Sequence, residues 1–328
     1  ETIQEMEILL GNGKVITCSK TKNKDLFFGF PNTYGTLGYV LKAKVMLIPV
    51  KKYVKMERFF YKDTDKFMTD INRISLEQRK KNKYPFIEGT TFSRDDMVLT
   101  LGECVDKAPY TTDYTYMKIY YKSLHKKIDY MTIKDYIWRF DTDWFWCSKF
   151  YLAQIPIIRL LLGRKRLTSK WYHKVMVWSR KYNILGSLQK LTGRKTETII
   201  QDVEVPIEHA SNFLEFFHKE IGITPIVTTP IMPFNKDQFT FFPMKYGMHM
   251  NIGFYDFIKS KKPKGYLNRL IEKKIREYPC LKLLYSDSYY SEKEFWSIYD
   301  KKAYDKLKKK YDPTKRFLNL YEKCVLKK

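Results

Sequence analysis

Three stretches of the chain hold residue types that chemistry can use. In Tyr285-Ser-Asp-Ser-Tyr289-Tyr290-Ser291, phenols stand just ahead of a helix start where Ser291 caps and Glu294 sits at the third position, a capping box. Phenols there can reach into a pocket as proton donors, or they can simply pack. In Gly29-Phe-Pro-Asn-Thr-Tyr-Gly35-Thr-Leu-Gly38, glycines permit close backbone approach, and Asn32, Thr33 and Thr36 can donate to phosphate or ring oxygens. The same stretch also reads as a plain turn into a strand, being neither a Walker loop nor a G-x-G-x-x-G fingerprint. Between Asp113 and Lys149, eleven aromatic residues are more than one strand can bury on a face, so some are expected to line a cavity.

Other chemistries lack their residues. There is no Ser/His/Asp order, no HExxH and no CxxC, and His125, His173, His209, His218 and His249 show no ligand spacing on one helix face. The Asp141/Asp143 pair has no further acidic partners for a cation. Cys18, Cys104, Cys147, Cys280 and Cys324 are odd in number and lie more than forty residues apart, which reads as buried free thiols in a reducing compartment. Hydrolytic and zinc chemistry are therefore disfavoured.

The elements that must position these residues follow from patterning. Met6 to Leu10, Lys14 to Cys18 and Gly38 to Pro49 read as extended, with Gly11-Asn12-Gly13 as a hairpin turn. A strand over Tyr53 to Tyr61, a helix over Thr64 to Lys83 and strands over Phe86 to Phe92 and Met97 to Val105 follow. From Ile199 a β-α-β order runs to Thr229, with Phe213, Leu214, Phe216 and Phe217 at helical spacing. A strand over Gly247 to Tyr255, a helix over Tyr266 to Tyr278, a short strand over Lys282 to Ser286 and helices within Ser291 to Lys310 complete an α+β chain with no internal repeat.

The chain has 328 residues, 61 Lys+Arg against 36 Asp+Glu, and a net charge of +25. With 44% hydrophobic residues it can build a substantial core, and its length suggests two domains, the second beginning near Tyr53. Only 13 of the basic residues are Arg, so much of the charge reads as compositional bias. One segment stands out: Ile155 to Ile200 holds eleven basic residues against Glu197, behind an apolar run and around Trp171, Tyr172 and Trp178. That mixture suits an interfacial helix, so a peripheral membrane surface over Ile155–Lys195 is expected. Nucleic acid is the weaker reading, because no base-reading motif is present. No apolar run approaches the roughly 20 residues a spanning helix needs.

Taken together, the segments DLFFGFPNTYGTLGYVLKAKVMLIPVKKYV, FIEGTTFS, IYYKSL, RFDTDWFWCSK, IIQDVEVPI, TPIVTTPIMP, MHMNIGFYD, LLYSDSYYSEKEFW and YDPTKRFLNLYEKC occur in an order that resembles the FAD-linked oxidoreductases of the vanillyl-alcohol oxidase (PCMH-type) superfamily, Δ24-sterol reductase branch. The resemblance covers nearly the whole chain. It implies that residues 1–52 form the C-terminal part of a PCMH-type FAD-binding domain. Residues 53–328 would be an α+β cap with an antiparallel sheet, whose last helices return to the FAD domain. It also implies that the first FAD subdomain precedes Glu1, making this chain a fragment that would bind FAD poorly and be inactive alone.

Residue by residue, the resemblance places Asn32, Thr33, Gly35, Thr36, Gly38 and Tyr39 along the flavin. Tyr285, Asp287, Tyr289 and Tyr290 become candidate catalytic residues, and Tyr120, Lys122 and Asn251 candidate substrate-pocket residues. The implied activity is reduction of a C=C bond of a sterol or isoprenoid-like lipid with NADPH, in the cytoplasm or at the cytoplasmic face of a membrane. The alternatives are an FAD-dependent oxidase or dehydrogenase of an alcohol, aldehyde or hydroxy acid, and a non-catalytic basic protein binding anionic membrane or nucleic acid.

Overall fold

The computed structural model describes residues 2–183, 196–233, 239–241 and 247–328. The end of the basic segment, including Lys190, Arg194 and Lys195, lies outside the described residues. Strands β1 (Ile3–Leu9) and β2 (Val15–Ser19) form the expected hairpin, Leu9 opposite Val15. After helix α1 (Lys24–Gly29) and the glycine-rich turn, β3 (Tyr39–Val45) pairs antiparallel with β1, giving a sheet of order β2-β1-β3. Every residue of β3 is exposed, and so are Met46, Leu47, Ile48 and Val50 beyond it, Leu47 at 84%.

The next elements are β4 (Tyr53–Tyr61), α2 (Thr64–Lys81), β5 (Phe86–Ser93), β6 (Asp96–Val105), β7 (Ile128–Thr132), α3 (Ile133–Ile137), α4 (Pro156–Arg166) and α5 (Ser169–Lys181). Then come β8 (Thr196–Pro206), α6 (Ile207–Glu220), β9 (Ile226–Ile231), β10 (His249–Lys259), α7 (Tyr266–Ile275), β11 (Leu281–Lys282), α8 (Glu292–Ile298) and α9 (Lys301–Tyr311). The expected strand over Lys282 to Ser286 is reduced to the two residues of β11. Helix α2 starts where the Asp63 carboxylate accepts the Lys66 N–H at 2.7 Å and stops at Asn82 in the left-handed region.

Eight strands make one antiparallel sheet of order β11-β8-β10-β9-β5-β6-β4-β7. Its two halves repeat one plan. In β4-α2-β5-β6 the parallel strands β4 and β5 flank β6, and in β8-α6-β9-β10 the strands β8 and β9 flank β10. A later strand then joins each outer edge, β7 beside β4 and β11 beside β8. The halves meet at β5 and β9, where a Cβ on Gly89 would come within 2.1 Å of Thr228 Oγ1. The expectation of no internal repeat holds for the letters and fails for the structure, because hydrophobic patterning carries a β-α-β-β plan without shared identities.

Helices α2 and α6 cover one face of this sheet, burying Phe67, Ile71, Phe213 and Phe217 against Leu99, Ile199, Val203 and Ile252. The opposite face at the β4 end is covered by the aromatic segment. Tyr114, Tyr120 and Tyr136 are buried there against Met56, Val98 and Met131, with Arg139 laid over the Tyr136 ring at 3.9 Å and bonded to Glu88 at 2.6 Å. These three phenols build a core layer rather than a cavity wall, because the sheet has a second face to cover and only the short helix α3 and the loops around it to do so. A third cluster joins Met6, Ile8, Leu26 and Leu37 to Leu284, Phe295, Tyr304 and Leu307, so the small sheet and the C-terminal helices share one interior.

Candidate functional site

Strand alternation divides β8 between two environments. Ile199, Val203 and Val205 enter the helix-covered core, which sends Asp202 and Glu204 to the other face. On neighbouring β10, Asn251 stands opposite Glu204, and Tyr255 lies further along the same face. The Leu283–Tyr290 loop crosses this face after Leu283 N–H bonds to Asp202 O at 3.1 Å.

The side chains converge on two carboxyl groups. Tyr255 Oη donates to Asp202 Oδ1 at 2.7 Å, and Tyr285 Oη donates to Asp202 Oδ2. Asn251 Nδ2 donates to Glu204 Oε1 at 2.7 Å, while the buried Glu204 Oε2 has no partner among the described residues. Phe145 and Trp146 stand 5.6 and 5.8 Å from the Tyr255 ring and form an aromatic wall. Beside Glu204 opens a cavity of about 440 Å³ that also meets His249, Cys280, Leu281 and Ser297.

Burial sets the protonation of this site. It pushes the Asp202 carboxyl above the usual aspartate range, with the Tyr285 and Tyr255 hydrogen bonds opposing. It raises Glu204 to about 7, the Asn251 bond opposing and Asp202 adding to the rise. It also drives the Tyr255 phenol up and the His249 imidazole down. Two neighbouring carboxyls thus keep protons to higher pH than free ones, within reach of phenols that pass protons on.

The Glu204 shift carries a sign. Its folded value of about 7 exceeds the ordinary 4.5, so its stabilising share is present below pH 4.5 and lost as pH rises through 7. Glu204→Gln should therefore gain on the parent with rising pH, by on the order of 3 kcal/mol at about pH 8. Thermal melts from about pH 5 to pH 8 test this, and a melting-temperature difference that ignores pH refutes it.

The residues anticipated from sequence separate into groups. Tyr285 and Asn251 lie in the site. Tyr290 is buried in the third cluster, Tyr289 packs under Arg269 at 5.1 Å, and the Asp287 carboxylate forms a surface ion pair with Lys327. Tyr120 is 1% exposed inside the aromatic layer, and Lys122 is on the surface. In the turn, Thr33 Oγ1 is spent on Phe30 O at 2.6 Å and Thr36 Oγ1 on Thr33 O at 2.7 Å, so these hydroxyls brace the turn itself. Gly38, at φ 148, lets β3 approach β1, since a Cβ would come within 2.5 Å of Leu9 O. Asn32 and Gly35 are left-handed at φ 62 and 75, and Tyr39 is half exposed against Phe317.

One bond ties the turn to the site: Leu284 N–H donates to Tyr34 Oη at 2.9 Å. Tyr34, Asp202, Glu204, Tyr255 and His249 are the residues sequence reasoning missed. A signal existed, since acidic residues at alternate positions of an otherwise apolar strand, Gln-Asp-Val-Glu-Val, are out of place unless that face is used. Among the described residues no group of three or more His, Cys, Asp or Glu is placed to hold a metal ion.

No family model matches the chain. Among curated proteins it is similar to the Delta(24)-sterol reductase of Homo sapiens, 26% identical over 333 residues, covering 97% of this chain and 62% of that protein. It is similar also to the Delta(24)-sterol reductase of Pisum sativum, 24% identical over 373 residues with 99% and 63% covered. A shorter match is to cytokinin dehydrogenase 5 of Oryza sativa subsp. japonica, 29% identical over 96 residues, 29% of this chain and 18% of that protein. The chain spans about three fifths of the length of the reductases it matches. Reductases and a dehydrogenase are alike oxidoreductases by name, and this chain's fold is α+β with antiparallel sheets.

Proposed function

We propose that the chain is the larger part of an FAD-dependent oxidoreductase that reduces a C=C bond of a sterol or isoprenoid-like lipid with electrons from NADPH. The observation that carries this reading is the Tyr255–Asp202–Tyr285 cluster on the sheet face away from α2 and α6, in a chain resembling Delta(24)-sterol reductases over 97% of its length. Saturating an alkene adds a hydride to one carbon and a proton to the other. A flavin bound at the glycine-rich turn would supply the hydride. The chain's own residues supply the proton: Tyr285, about half exposed, donates its hydroxyl proton to the substrate carbon, and Asp202 in its protonated form, with the Tyr285 contact reversed so that the carboxyl donates, returns a proton to the phenolate and is left as carboxylate.

The residues present suit one wall of such a cofactor site. Asn32 and Gly35 hold left-handed backbone in the turn, Tyr39 offers an exposed ring, and the Tyr34 bond sets the turn against the acid cluster. The exposed apolar β3 and Met46–Val50 are surfaces that a further domain would cover, consistent with relatives longer than this chain. Phe145, 38% exposed, brings an apolar ring beside Tyr255, with the buried Trp146 packed behind them.

The test is spectroscopic. The protein, expressed with its upstream coding sequence and purified with added FAD, should keep a flavin absorbance after exhaustive dialysis and bleach anaerobically with NADPH. Bleaching only with alcohols or hydroxy acids would replace the reductase reading by an oxidase or dehydrogenase one. A folded, colourless protein would overturn both.

A further inference from the structure

Helix α4 faces away from the protein with its apolar side. Ile157, Leu160 and Leu161, at i, i+3 and i+4, are 66%, 61% and 75% exposed, and Leu152 and Ile155 just before them are exposed as well. The orientation is held from within. Arg159, expected from sequence to contribute surface charge, is 1% exposed, its Nε bonded to Tyr116 O at 2.5 Å and its Nη1 to Ala153 O at 2.8 Å. With Arg159 turned inward, the ridge on the other side of the turn can only face outward. Such a ridge on a surface helix marks a docking site rather than chance exposure.

The charge around the ridge names the occupant. No Asp or Glu occurs between Asp143 and Glu197. Lys165, Arg166, Lys170 and Lys174 are exposed on α4 and α5, while Arg164 is paired with Asp113 at 2.8 Å. Further along α5, Trp178 and Tyr182 are exposed one turn apart with rings 5.6 Å from each other, the residue types that settle at the headgroup level. A second copy docking about a two-fold axis would set these like charges against themselves. No described helix is long and apolar enough to cross a membrane, which leaves shallow insertion as the geometry.

We propose that α4 seats the protein on an anionic lipid bilayer, with Leu152, Ile155, Ile157, Leu160 and Leu161 among the acyl chains and the α4–α5 lysines and Arg166 at the headgroups. This inference stands apart from the catalytic reading, since a protein of any activity can carry such an anchor.

The test is co-sedimentation of the purified chain with phosphatidylcholine vesicles, with and without about 30% phosphatidylserine. Binding should be stronger with the anionic lipid and weaken with salt. The variant Leu160→Asp/Leu161→Asp should bind about a hundredfold more weakly, as expected for two lost apolar anchors. Lys165→Glu/Arg166→Glu should lose only the anionic preference. Leu47→Asp, on the other exposed apolar stretch, should bind like the parent. Circular dichroism checks that the variants are folded, as these exposed positions predict. The proposal is overturned if Leu47→Asp rather than the α4 variant abolishes binding, or if the α4 variant pellets like the parent. A concentration-dependent dimer that the α4 variant abolishes, without vesicle binding, would assign the ridge to a second copy instead.

Discussion

Tyr285→Phe is expected to lower turnover of the flavin-loaded protein by about a hundredfold while leaving KM nearly unchanged, the usual loss when a positioned proton donor is removed. The substitution keeps the ring, and about half of the residue faces solvent, so the fold has little to lose. It removes the proton that Asp202 would otherwise pass through Tyr285 Oη. Tyr255→Phe makes a useful contrast, because that phenol is bonded to the same carboxyl at 2.7 Å from deeper in the face. Its loss should act through Asp202 and the neighbouring Tyr285 phenol and shift the pH dependence more than the maximal rate. Burial holds the Asp202 proton to higher pH than usual, so the rate of the parent should fall as pH rises through the range where that carboxyl deprotonates. A steady-state NADPH oxidation assay with an alkene lipid measures both. A Tyr285→Phe protein with unchanged kcat would reduce the cluster to packing.

Lys282→Met should cost about 3–5 kcal/mol of stability, the penalty for stranding one half of a buried ion pair. Lys282 Nζ lies 2.6 Å from Glu272 Oε1, with side chains 0% and 4% exposed. Burial pulls the Lys282 ammonium below the ordinary lysine value, and the Glu272 carboxylate opposes that pull. The same atoms hold the site loop in place: Lys282 Nζ donates to Asp287 O at 2.6 Å, Glu272 accepts Tyr289 N–H at 3.0 Å, and Tyr299 Oη donates to Lys282 O at 2.7 Å. Lys282→Met/Glu272→Leu, which removes both charges, should recover most of the loss. Urea unfolding of the two variants decides it. A single variant as stable as the parent would mean that the loop is held by its neighbours alone.

Local chemistry made much of the fold legible. The Gly11-Asn12-Gly13 turn, the strands β4 to β6, the helical spacing of Phe213, Leu214 and Phe217 and the Ser291–Glu294 box each rest on neighbours within a few residues, and each appears in the structure at or near the expected place. The site was legible only in part. Tyr285 and Asn251 were anticipated from a resemblance of ordered blocks, while Tyr289 and Tyr290, so close in sequence to Tyr285, turn into packing. A loop reverses direction between adjacent residues, so nearness along the chain says little about which phenol meets the Asp202 carboxyl. The glycine-rich turn shows the same limit: Thr33 and Thr36 have hydroxyls suited to a ligand, yet the turn consumes them.

By itself the sequence determined most of the strands and longer helices, though not α1, β7 or α3, along with the α+β class and the basic acid-free stretch around α4, because these depend on residue type and short-range periodicity. Only the tertiary structure decided which residues meet. Asp202 and Tyr255 are 53 positions apart and are joined because β8 and β10 pair in one register; a slip of one residue would put them on opposite faces. It also decided that the sheet repeats a β-α-β-β plan, that Arg159 turns inward while Leu160 and Leu161 turn out, and that Tyr34 reaches Leu284 across 250 residues. Those outcomes follow from long-range packing, where the same side chain is buried or exposed according to what the rest of the chain brings against it.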